Sequence, residues 1–312
     1  MWSNFPAIKE EMAAFEQYIE KKLTSRNSFL KNASKEVVLS GGKRLRPAFA
    51  IIAALHGDYD RSRIFPAAAS VEILHAATLV HDDIIDNAKI RRGQQTISEK
   101  HNTNLAVYTG DYLLTKSLRL LLETGLKPEK LDVLARSISL LCEGEVEQYL
   151  SKYSVVSVYQ YLKRILSKTG ILFSASMILG AKTAYLSDDA TRRFGHFGMC
   201  FGAAFQIRDD LKDLLSEQAT EGKPVLNDLK EGIVTLPVIM AVKNNPGFLK
   251  EVTDYFNGYG DINIILRNIL ASGGVKDAER LKNRYIEKCR NIIKDIPRTP
   301  YTNAMSEIVD WL

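Results

Sequence analysis

The chain has 312 residues, 46% hydrophobic and 25% charged, with 42 Lys and Arg against 37 Asp and Glu, a formal net charge of +5. This suits a globular protein whose core needs no disulfide or metal support, and it excludes disordered, collagen-like and low-complexity classes. The positive balance is too mild for a dedicated nucleic-acid binder but suits a substrate with several negative charges.

Taken in chain order, the pattern is helical almost throughout. The first 22 residues place Lys9, Glu10, Glu11, Glu16 and Glu20 in an amphipathic setting with Met12, Phe15 and Ile19, unlike a secretory signal. Turn residues then break the chain at Ser40-Gly41-Gly42, at Gly57 to Asp60, at Gly93 and from Gly125 to Pro128. Leu113, Leu114, Leu118, Leu121 and Leu122 mark one helix between these breaks. Residues 153–161 are rich in β-branched and aromatic side chains, but the run is short and isolated. Segments 171–181 and 194–205 are apolar nearly all round, as in helices at the middle of a bundle. Ser187 before Asp188 and Asp189 reads as an N-cap with acidic residues in the first turn. Further breaks fall at Asn244 to Gly247 and at Gly258 to Asp261, after which the chain is more charged and ordinarily amphipathic. The longest run without Asp, Glu, Lys or Arg is 194–207, 14 residues, short of the ~18 a spanning helix needs. Cys142, Cys200 and Cys289 form no CxxC pair and leave an odd count, which points to a reducing compartment. The expectation is a soluble cytoplasmic protein forming one all-α domain over residues 1–312.

Two acidic clusters carry the chemistry. Asp82-Asp83-Ile84-Ile85-Asp86 and Asp209-Asp210-Leu211-Lys212-Asp213 share one spacing. On a helix, residues four apart lie on one face, so Asp82 pairs with Asp86 and Asp209 with Asp213. One such cluster is commonly a solvated helix face. Two copies in apolar surroundings are harder to explain that way, because partly buried carboxylates without partners are costly. Hard oxygen ligands with no nearby Cys or His pair point to Mg²⁺, which also takes phosphate oxygens and water. Stepping back along the helices gives Thr78, Leu74 and Val71 before Asp82, and Phe205, Phe201 and Phe197 before Asp209. Each acidic patch would thus continue into an apolar lining, suited to an amphiphile with an anionic head and a hydrocarbon tail.

Cations lie close in sequence: Lys43, Arg44 and Arg46 after a Gly-Gly turn, Arg91 and Arg92 after the first cluster, and Lys168-Thr169-Gly170 interrupting a helix. Arg suits bidentate phosphate contacts and Lys point-charge pairing. His75 lies two turns before Asp82. With Glu72 it spells one half of a carboxylate-bridged di-iron motif, but no second E-x-x-H exists. His81 adjoins the cluster and points about 100° away from Asp82. His56, His101 and His196 have no ligand spacing. No P-loop, G-x-S-x-G or G-x-G-x-x-G is present.

With these residues in place the chain resembles the trans-isoprenyl diphosphate synthases, the polyprenyl synthetase family. The matching segments are GGKRLRP (41–47), VEILHAATLVHDDIIDNAKIRRG (71–93), YTGDYLL (108–114), GEVEQ (144–148), KTG (168–170), FQIRDDLKD (205–213) and GKPVLNDLKEGIVTLP (222–237). The resemblance implies an all-α bundle around a deep central cavity, often a homodimer, with several Mg²⁺ ions at the aspartate motifs. It implies that Asp82, Asp86 and Asp209, supported by Asp83, Asp210 and Asp213, bind Mg²⁺ on an allylic diphosphate. Arg91, Lys168, Thr169, Gln206 and Lys223 would contact that diphosphate, and Lys43, Arg46, His75 and Arg92 would hold isopentenyl diphosphate. In the family the released diphosphate takes the final proton. Asn87 and Ile233 depart from the common pattern, which has an acidic residue and Lys there. The second departure puts one extra diphosphate contact in doubt.

Short-chain members carry a large aromatic four or five residues before the first Asp. Here Thr78 and Ala77 are small, followed by Leu74 and Val71. The resemblance therefore implies long products of the hexaprenyl to octaprenyl class, for quinone side chains. The alternatives are a shorter-chain synthase making farnesyl or geranylgeranyl diphosphate, and a catalytic subunit that needs a small helper. A non-catalytic subunit would lose its aspartates, and a terpene cyclase would vary the second motif. Nucleic acid is not an expected partner, and membrane contact is at most transient.

Overall fold

A computed structural model describes residue 2, residues 4–215 and residues 226–312. Helices make up 76% of it, which bears out the all-α expectation. In order they are α1 (Pro6–Lys22), α2 (Ser28–Val38), α3 (Leu45–Ala54) and α4 (Arg61–Ile85), then a small hairpin of β1 (Ile90–Arg91) and β2 (Gln94–Gln95). Next come α5 (Ile97–Lys100), α6 (Thr103–Leu122), α7 (Pro128–Leu150) and α8 (Val158–Ile165), followed by a π-helical turn (Leu166–Gly170). After it run α9 (Ile171–Thr183), α10 (Asp188–Leu215), α11 (Asn227–Lys230), α12 (Leu236–Asn244), α13 (Phe248–Phe256), α14 (Ile262–Ala271), α15 (Gly274–Lys294) and α16 (Pro300–Asp310).

Local sequence sets the helix starts. Asn27, Asp60, Thr96, Asn102 and Asp261 each accept a backbone N–H from the first turn that follows them. The Ser187 hydroxyl accepts from Ala190 N–H, as the cap reading requires. The strand-like run 153–161 does not pair into a sheet. Ser157 and Gln160 close a capping box there and start α8, so the cap outweighs β propensity.

The described contacts fall into two compact units. The first comprises Met1–Ala135, Leu172–Gly195 and Ile296–Met305. Its core is α3, buried from Pro47 to Ala54, with α4, which packs along α6. The Ser117 hydroxyl of α6 donates to the Ser70 carbonyl of α4 at 2.7 Å. By length and composition α4 could cross a membrane, yet 78% of its apolar window is buried inside the protein, where it serves the core. In α9, residues 172–177 are buried without a break, as its all-round apolar pattern predicts. His56 is held at the edge of this core. Its Nδ1 lies 2.9 Å from the Ile52 carbonyl, which fixes the proton there, and Nε2 accepts from Thr299 Oγ1 at 3.2 Å.

The second unit comprises Arg136–Ile171, His196–Asp295 and Ser306–Leu312. Tyr161, Ile207, Leu211, Leu229, Leu236, Phe248 and Ile269 belong to its core. α15 buries Ala278, Ile286, Cys289 and Ile293 and turns its charges outward. Cys200 and Cys289 are buried and their thiols are pushed up by burial, whereas Cys142 is exposed.

Candidate active site

In the first unit α4 delivers the aspartates at its C-terminus. Asp86 is the C-cap, and its N–H donates to the Asp82 carbonyl at 2.8 Å, so the two share a face. Asp82 is half-buried and Asp86 exposed. Asp83, about 100° round the helix, turns inward and is only 7% exposed. Burial pushes its carboxyl up, and Arg91 opposes that, donating Nε–H to Oδ1 at 2.5 Å. The two-residue hairpin turn at Arg92 and Gly93 has φ of 51° and 78°, the left-handed pair that matches strand twist. It folds Arg91 back onto Asp83 and directs Arg92 to the Ser40 hydroxyl and the Gly41 carbonyl. Gly41 and Gly42, at φ 90° and 120°, adopt a backbone that side chains resist, and a Cβ on Gly42 would lie 3.2 Å from the Arg92 guanidinium.

Cations gather around this turn. The Arg46 guanidinium lies 4.6 Å from the centre of the Phe173 ring, and its buried Nε has no hydrogen-bond partner among the described residues. Burial lowers the Arg46 pKa to about 10. His75 shares the Asp82 face of α4. Burial first, then Arg46, Arg92, Arg91 and Arg44, hold its pKa well below the usual histidine range, so the ring is neutral. Lys43 is exposed at the same turn. Arg44 does something else. At φ 50° it points inward, to Glu16 and Glu72 at 2.7 Å each. Glu72 is therefore a partner of Arg44, and the di-iron half-motif is accounted for by an ion pair. His81 faces α6, with Nε2 3.3 Å from Asp111. A Cβ on Gly110 would fall 2.3 Å from that ring, which explains the Gly-Asp of YTGDYLL. Asn87 sits at φ 50°, a left-handed position that Asn tolerates better than most residues.

The four chain-length residues separate. Val71 and Thr78 lie on the Asp82 and His75 face of α4. Ala77, buried, lies about 140° round the helix from Asp82, on the side of His81 that faces α6, and Leu74, also buried, lies between the two at about 80°.

In the second unit the acidic cluster repeats the arrangement. Asp209 is exposed and Asp213 half-buried, while Asp210 turns inward at 4% exposure. Its Oδ2 accepts from the Tyr161 hydroxyl at 2.6 Å and its Oδ1 from Gln206 Nε2 at 2.9 Å. Burial pushes the Asp210 carboxyl up against those two hydrogen bonds. Both oxygens of Asp210 are thus hydrogen-bonded, whereas its neighbour Asp209 is exposed. Thr169 Oγ1 donates to Gln206 Oε1 at 2.8 Å, and Lys168 pairs with Glu145 of GEVEQ at 2.9 Å. The KTG segment interrupts the helix by widening it into a π turn without breaking it, a feature frequent at functional sites. Lys223 lies outside the described residues. Ile233 donates its N–H to the Asp228 carbonyl at 2.7 Å.

Three residues went unnoticed in the sequence. The Asp228 carboxyl is pushed up to about 7 by burial and by Asp210 and Asp213. Trp311 covers the Phe205 side of α10, its ring centre 6.1 Å from that of Phe205 and 3.7 Å from the Arg208 guanidinium. Arg208 itself has one buried guanidinium nitrogen without a hydrogen-bond partner among the described residues. Phe197, Phe201 and Phe205 stack at 6.3 and 6.2 Å, and the first two are fully buried. The aromatic stripe thus forms a stacked column that ends against Trp311. Among the described residues no group of three or more His, Cys, Asp or Glu is arranged to hold a metal ion alone.

The structure is thus an all-α fold that carries two aspartate clusters of one spacing, each with one inward-turned carboxyl group. The family model described as Polyprenyl synthetase matches residues 27–260. The heptaprenyl diphosphate synthase component 2 of Geobacillus stearothermophilus is 36% identical over 98% of this chain and 96% of its own. Among solved structures, the heptaprenyl diphosphate synthase of Staphylococcus aureus superposes with a TM-score of 0.89 at 31% identity, covering 97% and 96% of the two chains. The geranylgeranyl pyrophosphate synthase of Lactobacillus brevis gives 0.92 at 26% identity, covering 99% and 98%. The chain belongs to the polyprenyl synthetase family and is a prenyltransferase of isoprenoid biosynthesis.

Proposed function

We propose that this prenyltransferase condenses isopentenyl diphosphate with an allylic diphosphate into a long-chain, all-trans polyprenyl diphosphate of the hexaprenyl to octaprenyl class, for quinone side chains. The observation that carries the reading is the α4 face. There Arg46, Arg92 and a neutral His75 gather at a glycine turn, two helical turns from outward-facing Asp82 and Asp86. An enzyme with one diphosphate to handle needs no such second anion site beside its acidic motif.

Asp82 and Asp86, with Asp209 and Asp213, offer carboxylate oxygens only, which fits Mg²⁺ shared with water and phosphate. Bound with the allylic diphosphate, Mg²⁺ supplies charge neutralisation as that group departs. Arg91 is paired with Asp83 and Lys168 with Glu145, and on the family's pattern each would contact the allylic diphosphate. Thr169, Gln206 and Lys223 complete that set on the family's pattern. Departure of diphosphate leaves an allylic cation, so fixed positive charge on the leaving group contributes most of the catalysis. Lys43, Arg46, His75 and Arg92 orient isopentenyl diphosphate for attack through its double bond. The small Thr78 on the Asp82 face and the heptaprenyl relatives support a long product. The name component 2 of the G. stearothermophilus relative supports association with a small second component, with a homodimer as the other arrangement.

The test is incubation of the purified chain alone with Mg²⁺, farnesyl diphosphate and labelled isopentenyl diphosphate, with products sized by chromatography. Long all-trans products are expected. Geranylgeranyl diphosphate alone would replace the long-chain reading with a short-chain one. No product would make the chain dependent on a second component.

A further inference from the structure

The second unit contains a hydrogen-bond circuit that joins Thr169, Gln206 and Asp210 to a residue with no role above, Tyr161. Tyr161, on α8, is fully buried and gives its hydroxyl proton to Asp210 Oδ2. Gln206, one turn before Asp210 on α10, donates to the other carboxylate oxygen and accepts from Thr169 in the π turn. Two points of α10 are thereby tied to the α8 segment: Asp210 to Tyr161, and Gln206 to the turn that carries Lys168. Arg164, one turn beyond Tyr161, lies 5.5 Å from the Tyr161 ring centre and donates to the Val234 carbonyl at 2.8 Å.

A buried carboxyl group without partners is expensive, so α10 is held in the rotation that presents Asp210 to Tyr161. Successive residues are about 100° apart, and that rotation therefore fixes where Asp209 and Asp213 point. We propose that Tyr161 is a positioning residue for the prenyl transfer, acting through Asp210 to set the direction of Asp209 and Asp213. The same circuit sets the distance of Lys168 from them through Gln206 and Thr169. The inference rests on the diphosphate-site reading of Asp209, Asp213 and Lys168, and it names a residue outside every substrate-contact set above.

Tyr161→Phe removes one oxygen and keeps the ring. The measurement is calorimetric binding of inorganic diphosphate in the presence of Mg²⁺, with steady-state kinetics and thermal melting alongside. We expect a folded variant whose diphosphate affinity and kcat each fall about tenfold, as for one lost hydrogen bond to a charged group. Its KM for isopentenyl diphosphate stays within about twofold, because that site lies on α3 and α4. Wild-type diphosphate affinity and kcat, with only a lowered Tm, would make Tyr161 purely structural and overturn the proposal. Should Tyr161→Phe not fold, Asp210→Asn decides. Its loss of kcat is expected to be at least tenfold smaller than that of Asp209→Asn, and equal losses would make Asp210 a direct ligand and overturn the proposal. If Asp209→Asn itself leaves diphosphate binding and turnover intact, the underlying site reading has failed, a result separable from a wild-type-like Tyr161→Phe.

Discussion

Arg44 and Arg46 stand two positions apart and serve different ends. Arg44 points into the protein and satisfies Glu72, which is 8% exposed, whereas the Arg46 Nε, under Phe173, has no partner among the described residues. Removing one partner of a buried pair strands the other charge, so Arg44→Met should cost about 3 kcal/mol in urea denaturation. Arg46→Met should leave the midpoint nearly unchanged and raise KM for isopentenyl diphosphate by an order of magnitude or more. His56 gives a pH prediction. Burial lowers its pKa below that of a free histidine, so the unfolded chain takes up the proton first. The stability contributed by the neutral ring is present above about pH 6.5 and is lost as pH falls below it. His56→Gln should flatten the decline in Tm between pH 7 and pH 5, and an unchanged slope would exclude His56 as its source. Asp82→Ala and Asp209→Ala should each cut turnover by orders of magnitude without lowering Tm, because clustered carboxylates repel when no cation is bound. Near-normal rates in both variants would remove the metal assignment.

At the level of helices, α4 shows what periodicity reveals and what it hides. The Asp82–Asp86 pair and His75 were legible, because four- and seven-residue steps follow one face and one sequence suffices to count them. The inward turn of Asp83 was not, since its partner Arg91 arrives only through a hairpin whose Arg92 occupies a left-handed position. Asp210 repeats the case, with Tyr161 49 positions away. Which side of α4 meets α6 was hidden for a related reason, because it is decided by Ser117 and Asp111 on another helix. The chain-length argument divides accordingly. Thr78→Tyr should shorten the products with a small change in Tm. Ala77→Tyr overpacks the α4–α6 contact and should cost about 1–3 kcal/mol. Equal Tm values for the two variants would refute this assignment of stripes.

Across the whole chain, composition and helical period announced the fold class, and the order of seven motifs announced the family. What one sequence left open were pairings over long separations, such as Trp311 with Arg208 and Phe205, where neither partner carries a recognisable pattern. Both cores are built from apolar side chains, so chelation with EDTA should abolish turnover while the Tm of the substrate-free protein stays put. A parallel fall in Tm would assign the metal a structural part. The three thiols have a practical use of their own. Cys200 and Cys289 are sequestered and held in the unreactive protonated form, and Cys142 alone meets solvent on α7. A maleimide dye should thus label the unaltered enzyme once per polypeptide, giving a native fluorescent reporter with which to count subunits and follow assembly.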